Sequence, residues 1–242
     1  LNVTLKLFAD DAKIYSVLDY DIAIDLRLSA VCNRITTWGN TWQMRLALNK
    51  CHTLRITNKT SHEVNQCYVL ENVNIAWCSE VSDLGILIDH KLLFNQHIAH
   101  IVHKARIRAR LILRSFVSRD CNILTKAFVT YVRPLLEYCS PIWSPSSISN
   151  IKKIEATQRN FTKNLYLLSN CSYYDRLLNL NLDSLEVRRL KYDITAIYKL
   201  IHNHFDIHYT YFFELVTDNN TRGHRFKVYK RHCVVNAYKH SF

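Results

Sequence analysis

Glycine and proline are scarce in this chain, and their scarcity limits the folds that it can adopt. Each type occurs three times among 242 residues. Because both residue types form tight turns and interrupt helices, their scarcity favours long helices with short connections over a many-turned β fold. Hydrophobic residues make up 48% of the chain, enough for a packed core. The length allows one large domain or two small ones.

The N-terminal stretch departs from this pattern and predicts a β-hairpin. Two short apolar strands, residues 3–8 and 13–17, flank a tight turn that holds Asp10 and Asp11. Adjacent carboxylates repel each other unless a cation offsets their charge, and Mg²⁺ prefers such hard oxygen ligands. The pair therefore indicates a metal-binding turn of the kind that supports phosphoryl transfer. A solvated turn is the alternative, since Asp is common in turns for local reasons.

Helical spacing follows the hairpin. Apolar side chains recur at alternating steps of four and three residues, which predicts one face of an amphipathic helix: Ile24, Leu28, Val31, Ile35, Trp38 and Trp42. Gly39 and Asn40 are expected to end or loosen this helix. Strand-like runs come next, at residues 53–57, 68–70, 73–77 and 81–89. The first part of the chain therefore predicts an α+β unit.

A basic helix is predicted in the middle of the chain. Residues 90–119 contain seven Lys and Arg and no Asp or Glu. Apolar residues at helical spacing, from Ile98 to Phe116, predict that the cations lie off the buried stripe. The cations expected to contact phosphates are Lys104, Arg106, Arg108, Arg110 and Arg114. A solvated face is the alternative, although solvated faces usually mix both signs of charge.

Further helices and a basic tail are predicted after this segment. Residues 131–145 carry all three prolines and predict a turn-rich packing segment. A later helix, capped by Asp183 or Ser184, has an apolar stripe at Val187, Leu190, Ile194, Ile197 and Ile201. Spacings of two and four residues suit no common zinc site, which favours structural or solvated roles for His202, His204 and His208.

The charge and the cysteines limit the possible partners and compartment. A formal charge of +12 suggests a polyanionic partner, with nucleic acid ahead of a membrane surface. The eight cysteines are scattered without a Cys-x-x-Cys pair, which favours reduced thiols in an intracellular protein. No apolar run reaches the ~18 residues of a membrane span, and no signal peptide is recognisable, so no membrane partner is expected.

The order of these pieces resembles the second half of the palm of a reverse transcriptase from non-LTR (LINE-type) retrotransposons. The similar pieces are the FADD stretch at residues 8–11, the long helix, the LNKC stretch at residues 48–51 and DLGILID at residues 83–89. The runs at residues 131–139 and 154–163 are similar to the thumb and post-thumb region of the same elements.

This resemblance implies a domain organisation. A partial polymerase palm, with a short antiparallel sheet and one long helix, is expected at residues 1–89. An all-α thumb and post-thumb bundle follows at residues 90–205, and a basic C-terminal tail at residues 206–242.

The resemblance also implies roles for individual residues. Asp10 matches the main metal ligand and Asp11 its neighbour, with Mg²⁺ (or Mn²⁺) as the implied cofactor. Lys50 matches a lysine near the incoming triphosphate, and Leu84 with Gly85 matches the turn that grips the primer end. The basic helix would track the template–primer duplex. The implied partners are an RNA template, a DNA primer and deoxynucleoside triphosphates, and the implied compartment is the nucleus.

The same resemblance implies missing parts. The family's fingers and the first half of its palm, with another metal-binding Asp, are expected before Leu1. The sequence therefore predicts a chain that does not polymerise DNA by itself. Two other interpretations remain: a non-enzymatic basic nucleic-acid-binding module, and an inert retrotransposon relic.

Overall fold

The computed structural model describes residues 3–17, 22–57, 67–216, 224, 226–229 and 232. Helices and short strands both occur in these residues, which fits the predicted α+β class. The chain divides into two units, residues 1–91 and 92–242. In the described residues no helix has the length and apolar character needed to cross a membrane.

The first unit combines the N-terminal hairpin with one long helix. Strand β1 (Val3–Phe8) pairs in antiparallel fashion with β2 (Asp11–Ser16). Helix α1 (Ile22–Thr41) and a 3₁₀ turn (Leu48–Lys50) follow. The remaining described strands are β3 (His52–Leu54), β4 (Val69–Leu70), β5 (Val73–Asn74), β6 (Ala76–Cys78), β7 (Glu80–Asp83) and β8 (Ile86–Asp89).

These strands form separate two-stranded sheets instead of the single antiparallel sheet that was expected. β4 pairs with β5 and β7 with β8 in antiparallel fashion, whereas β3 pairs with β6 in parallel. Two-residue turns connect both of these antiparallel pairs, and such turns favour local pairing between neighbouring strands. The predicted strand 81–89 is therefore two strands joined by a turn.

Helix α1 packs on a small core, but its buried side differs from the predicted stripe. Cys32, Tyr68 and Leu70 form the buried cluster, and Leu28 packs against it with Leu46, Leu48, Cys51 and Ile75. Trp38 and Trp42 are exposed, so their predicted place in the apolar stripe is wrong. Since each helical residue turns by about 100°, Trp38 lies roughly a quarter turn from the side that holds Leu28 and Cys32.

Gly39 does not end helix α1, which continues to Thr41. The residue is buried, and a Cβ at this position would lie 3.0 Å from the backbone oxygen of Met44. The backbone N–H of Met44 donates to the Gly39 carbonyl across 2.9 Å. The Gln43 N–H also donates to the Asn40 carbonyl across 3.3 Å, and the φ of Gln43 is 55°. These two bonds and the left-handed residue close the helix end as a Schellman motif, and glycine at position 39 leaves room for the returning backbone.

The second unit is mainly helical. Its helices are α2 (Asn95–Ser115), α3 (Cys121–Tyr131), α4 (Arg133–Glu137), α5 (Ser140–Trp143), α6 (Ile148–Lys163), α7 (Tyr173–Asn179) and α8 (Leu185–Ile201). A 3₁₀ turn (Tyr209–Tyr211) and the antiparallel pair β9 (Glu214–Leu215) and β10 (Val228–Tyr229) follow.

Side-chain caps and aromatic packing explain where these helices begin and meet. Ser184 caps α8 by accepting from the backbone N–H of Val187 across 3.2 Å, as one of the two predicted caps. The rings of Phe128 and Phe161 stack with centroids 4.5 Å apart. Trp143 is fully buried and donates its indole N–H to the Tyr138 carbonyl across 2.7 Å. The proline-rich segment is therefore part of the core, built from two short helices and not from turns alone.

Helix α8 buries a different side from the predicted one. Val187, Leu190 and Ile194 are exposed, whereas Leu185, Arg189 and Leu200 are buried. Carboxylates of α8 itself and of neighbouring helices surround buried Arg189, and Glu155 attracts it most strongly. Arg188 donates to Glu137 of α4, so ionic contacts that apolar spacing does not report also join α8 to its neighbours.

Most of the predicted basic tail lies outside the described residues, and the boundaries of the three predicted domains stay a prediction. All three histidines have local partners, and the ring of His204 stacks with that of Tyr198 at 6.3 Å. The ring of His202 lies 4.3 Å from that of Tyr198, and His208 Nδ1 lies 2.8 Å from the Thr210 hydroxyl. Among the residues that the structure describes, no group of three His, Cys, Asp or Glu is placed to hold a metal ion.

We expect acid to destabilise the second unit through His97. This side chain is buried, and its ring meets the Trp143 indole edge-on at 5.3 Å. Burial, with a contribution from nearby His100, lowers the pKa of His97. Below the ordinary histidine pKa of about 6.5, the unfolded chain takes up a proton that the folded chain disfavours, so stability falls as the pH drops.

Thermal unfolding between pH 7.5 and pH 5 measures this effect. The melting temperature of a His97→Phe variant should fall less over this range than that of the unmodified chain. His103→Gln, an exposed position on the same helix, should leave the acid sensitivity unchanged. Equal acid sensitivity in the His97→Phe variant would contradict the assignment.

Candidate catalytic hairpin and nucleic-acid interface

The hairpin turn places Asp10 and Asp11 in different backbone environments. The strand register pairs Phe8 with Asp11, so the turn consists of Ala9 and Asp10 alone. Strand β2 thus begins two residues earlier than predicted, and Asp11 belongs to the ladder. Both carboxylates are exposed, and among the described residues neither makes a hydrogen bond or an ion pair.

The turn is backbone-strained at Ala9. Its φ is 50°, in the left-handed region that costs an L-residue roughly 1–2 kcal/mol. Two-residue hairpin turns need such a conformation to match the twist of the strands, and glycine usually supplies it. Alanine occupies this position here, so the sequence lacks the glycine that usually marks such a turn.

An ion pair connects the hairpin to the predicted primer-grip segment. Lys13 Nζ lies 2.6 Å from Asp83 Oδ2, and both side chains are partly exposed. Lys13 lies two residues after Asp11 on β2, so the two side chains leave the same face of the strand. Asp83 directly precedes Leu84. The structure therefore brings the Asp11 face of the hairpin and the β7–β8 turn together within the first unit.

Leu84 and Gly85 form the two-residue turn between β7 and β8. Asp83 pairs with Ile86 across it, and the φ angles of Leu84 and Gly85 are 46° and 82°. Positive φ at both central positions is the geometry of a type I′ turn. Glycine adopts this conformation readily, which explains the residue type at Gly85. Leu84 remains exposed at the turn.

Lys50 ends the 3₁₀ turn that follows α1. Leu48, two residues earlier, packs against the core of the first unit, and the Lys50 side chain is exposed. Among the described residues its ammonium group makes no hydrogen bond or ion pair, with Asp10 and Asp11 included. The fold therefore leaves Lys50 accessible to a ligand without joining it to the hairpin.

The donor set of the hairpin fits the implied Mg²⁺. Mg²⁺ usually retains several waters and binds through one or two carboxylates together with substrate phosphates. Asp10 and Asp11 supply two exposed carboxylates whose oxygens are not engaged by the described part of the chain. Mn²⁺ accepts the same oxygen ligands.

Helix α2 carries the second candidate surface. Ile98, Ala105 and Ala109 are buried, along with Ile101 and Ile112, as their spacing predicts. The five predicted phosphate-binding cations on the same helix are all exposed: Lys104, Arg106, Arg108, Arg110 and Arg114. The fold therefore presents these cations to solvent, where a polyanion could meet them.

These cations form two rows on α2. Arg106, Arg110 and Arg114 recur every four residues and so follow one row along the helix. Lys104 and Arg108 lie in the other row, where the Arg108 guanidinium donates to the Tyr131 carbonyl across 3.3 Å. In the described structure the three arginines of the first row have no hydrogen bond or ion pair. We call them the arginine row.

Charge is distributed unequally between the two units. Residues 92–242 contain 23 Lys and Arg and 10 Asp and Glu, which gives +13. Residues 1–91 contain 9 Lys and Arg and 10 Asp and Glu, which gives −1. The attraction for a polyanion therefore resides in the second unit, which also holds the arginine row.

A buried polar network supports the second unit, and the sequence alone did not reveal it. Glu155 accepts from the Tyr173 hydroxyl and from the backbone N–H of Glu186. The Gln158 amide donates to the Tyr173 hydroxyl across 3.1 Å and to the Asp183 carbonyl across 2.9 Å. Burial and the hydrogen bond to Glu155 raise the pKa of Tyr173 well above its usual range.

A second carboxylate joins α4 to α8. Glu137 accepts from the Arg188 guanidinium and, across 3.1 Å, from the Tyr192 hydroxyl. Arg133 lies 3.8 Å from the same carboxylate on its own helix. Periodicity cannot predict that Glu137 and Glu155 make such contacts. Both are charged, and other side chains on their helices already form the apolar pattern.

Comparison with protein-family models finds no match. No solved structure matches the chain significantly.

Comparison with known proteins does find relatives. An uncharacterized protein of Caenorhabditis elegans is 33% identical over 132 residues, which cover 53% of this chain and 64% of that protein. An RNA-directed DNA polymerase from mobile element jockey of Drosophila funebris is 22% identical over 214 residues, 86% of this chain and 22% of that polymerase.

Other polymerases of mobile elements give the same result. A probable RNA-directed DNA polymerase from transposon X-element of Drosophila melanogaster is 25% identical over 186 residues, 74% of this chain. The match spans only 20% of that polymerase. The chain thus spans under two thirds of the worm protein and about a fifth of these polymerases. It is similar, over most of its own length, to part of the RNA-directed DNA polymerases of Drosophila mobile elements.

Proposed function

We propose that this chain is a reverse-transcriptase-related part of a non-LTR retrotransposon polymerase. The observation that carries the proposal is the similarity to Drosophila RNA-directed DNA polymerases, which covers 62–86% of the chain. The first unit would then correspond to the second half of the palm and the second unit to the thumb region. The exposed carboxylates of the hairpin and the arginine row support this correspondence.

The hairpin would contribute to the catalytic site. Asp10 and Asp11 would hold Mg²⁺, which when bound offsets charge at the reacting phosphate during attack by the primer 3′-hydroxyl. Lys50, exposed and without a partner in the described structure, would neutralise charge on the departing pyrophosphate. The turn at Leu84 and Gly85 would support the primer end, since its backbone allows a close approach.

The arginine row would bind the template–primer duplex. Contacts to phosphates position a protein on a duplex without reading its sequence. A polymerase needs such contacts because it must copy templates of any sequence. An RNA–DNA duplex is recognised mainly through its shape and backbone. Exposed guanidinium groups, which present planar donors to phosphate oxygens, suit that task.

We expect the purified chain to show no DNA synthesis by itself. In-line transfer with two metal ions needs carboxylates from more than one structural element. The hairpin supplies one such element, and within the described ranges no third metal-ligating side chain joins Asp10 and Asp11. Further carboxylates would have to come from elsewhere in the polymerase.

Primer extension on a poly(rA)–oligo(dT) template with Mg²⁺ tests this expectation. The chain and an Asp10→Asn, Asp11→Asn variant should both remain at background. Extension by the unmodified chain that disappears in the variant would show that its own residues complete the site. Binding of the same duplex, measured in parallel, tests the wider proposal. A chain that shows no saturable binding at low salt would not be a working part of a polymerase.

A second candidate function is duplex binding without catalysis. The charge of +13 in residues 92–242 favours it, because that unit needs no metal site to attract nucleic acid. Addition of a separate chain that carries the remaining parts of such a polymerase separates the two functions. Under the first proposal, synthesis would appear in the mixture and depend on Asp10. Under the second, synthesis would be absent although the duplex is bound.

A further inference from the structure

Helix α1 carries an aromatic and cationic surface that is distinct from the hairpin and from the basic helix α2. Trp38 and Trp42 are 49% and 66% exposed, and they lie one helical turn apart, about 6 Å along the axis. Arg34 precedes Trp38 by one turn on the same side. A cleft of about 370 Å³ connects them, and Asn33, Arg34, Thr37, Trp38, Thr41 and Trp42 line it.

These indoles do not hold the described core of the first unit together. The core side of α1 carries Leu28, Cys32 and buried Gly39. The hydroxyls of Thr37 and Thr41 donate to helix carbonyls across 3.0 and 2.8 Å. In the described structure Arg34 makes no ion pair and no hydrogen bond. The cleft therefore presents two indole faces and one uncommitted guanidinium to solvent.

The surroundings of the cleft are basic although the unit as a whole is not. Residues 26–62 contain six Lys and Arg and no Asp or Glu. Of these cations Arg27, Arg34, Arg45 and Lys50 are exposed. This local charge complements a polyanion and disfavours a basic or a neutral apolar surface as the partner.

The combination of exposed indole rings and cations points to single-stranded nucleic acid. Unpaired bases stack on aromatic side chains and the backbone follows nearby cations, whereas the base faces inside a duplex are already occupied by neighbouring bases. We propose that Trp38 and Trp42 stack with successive bases of single-stranded RNA and that Arg34 contacts its phosphates. The choice of RNA, as a template strand, rests on the proposed function.

Fluorescence anisotropy with a labelled ten-nucleotide RNA of mixed sequence and the full chain tests this site. Stacking of two bases predicts that Trp38→Ala with Trp42→Ala weakens the binding of this RNA by about 30-fold or more. Trp38→Phe with Trp42→Phe retains aromatic faces and should stay within about fivefold. Binding of an RNA–DNA duplex, assigned to the second unit, should change by less than about twofold in both variants.

The remaining outcomes separate this inference from the proposed function. Unchanged RNA binding in the alanine variant would overturn the stacking site, even if duplex binding and the polymerase proposal stand. A tryptophan-dependent affinity for RNA without any duplex binding would support the site and count against the polymerase proposal. Preference for a DNA strand of the same sequence would overturn the choice of RNA. A dimer that the alanine variant converts to monomer would show a second copy as the occupant and overturn the proposal.

Discussion

Replacement of Arg106, Arg110 and Arg114 with glutamine should lower the affinity for an RNA–DNA duplex by about 100-fold near physiological salt. Each phosphate contact contributes roughly 0.7–0.9 to the slope of log affinity against log salt concentration. Three lost contacts therefore reduce that slope by about two to three. The effect is large because these side chains have no hydrogen bond or ion pair in the described structure, so binding would not have to break internal contacts.

A matched variant separates the arginine row from the total charge of the unit. Lys126, Lys152 and Lys153 are exposed cations on α3 and α6, and their replacement with glutamine removes the same charge. We expect this control to lose much less affinity and to retain most of the salt slope. Titrations at three or more salt concentrations measure both quantities. Similar losses in the two variants would show that binding follows overall charge and not the arginine row.

Replacement of Glu155 with alanine should lower the free energy of unfolding by about 2–5 kcal/mol, because it leaves two partly buried donors without their acceptor and removes a carboxylate that attracts the buried guanidinium of Arg189. Arg189 is only 3% exposed. Burial lowers the pKa of its guanidinium, and Glu155 is the strongest of the carboxylates that oppose this effect. The same change removes the acceptor of the Tyr173 hydroxyl and of the Glu186 backbone N–H.

Urea denaturation followed by circular dichroism measures the loss. Glu186→Ala is the control, because Glu186 also attracts Arg189 but is exposed, and surface changes usually stay within about 0.5 kcal/mol. The combined change Glu155→Leu with Arg189→Met removes both buried charges and should be more stable than Glu155→Ala. If the combined variant is no more stable, the uncompensated arginine is not the cause of the loss.

The basic helix shows how far periodicity alone could predict this fold. On α2 the apolar residues Ile98, Ala105 and Ala109 are buried and the cations between them are exposed. The prediction was accurate there because one strongly apolar side and one strongly basic side leave a single favourable orientation.

The same method was wrong near the C-terminal end of α1 and for part of α8. Trp38 continues an apolar spacing, yet the core lies on the side of Leu28 and Cys32. On α8 the predicted stripe is exposed at Val187, Leu190 and Ile194, whereas Arg189 is buried. Apolar spacing shows that a helix has an apolar side, but the packing partner decides which side is buried. Buried charged residues do not contribute to apolar periodicity, so spacing cannot predict them.

For the candidate site, the sequence predicted the hairpin turn but not its detailed geometry. The sequence indicated a turn that holds Asp10 and Asp11, but not that Asp11 pairs with Phe8 within the ladder. Ala9 adopts a positive φ without being glycine, so the turn lacked its usual sequence signal. The Lys13–Asp83 ion pair joins residues 70 positions apart, a distance that no local pattern covers.

The unequal charge of the two units has a consequence for how fast, and not only how tightly, the chain meets nucleic acid. The second unit carries +13 and the first −1, so the cations of the second unit should accelerate encounters with a polyanion. Added salt should then slow association more than it speeds dissociation.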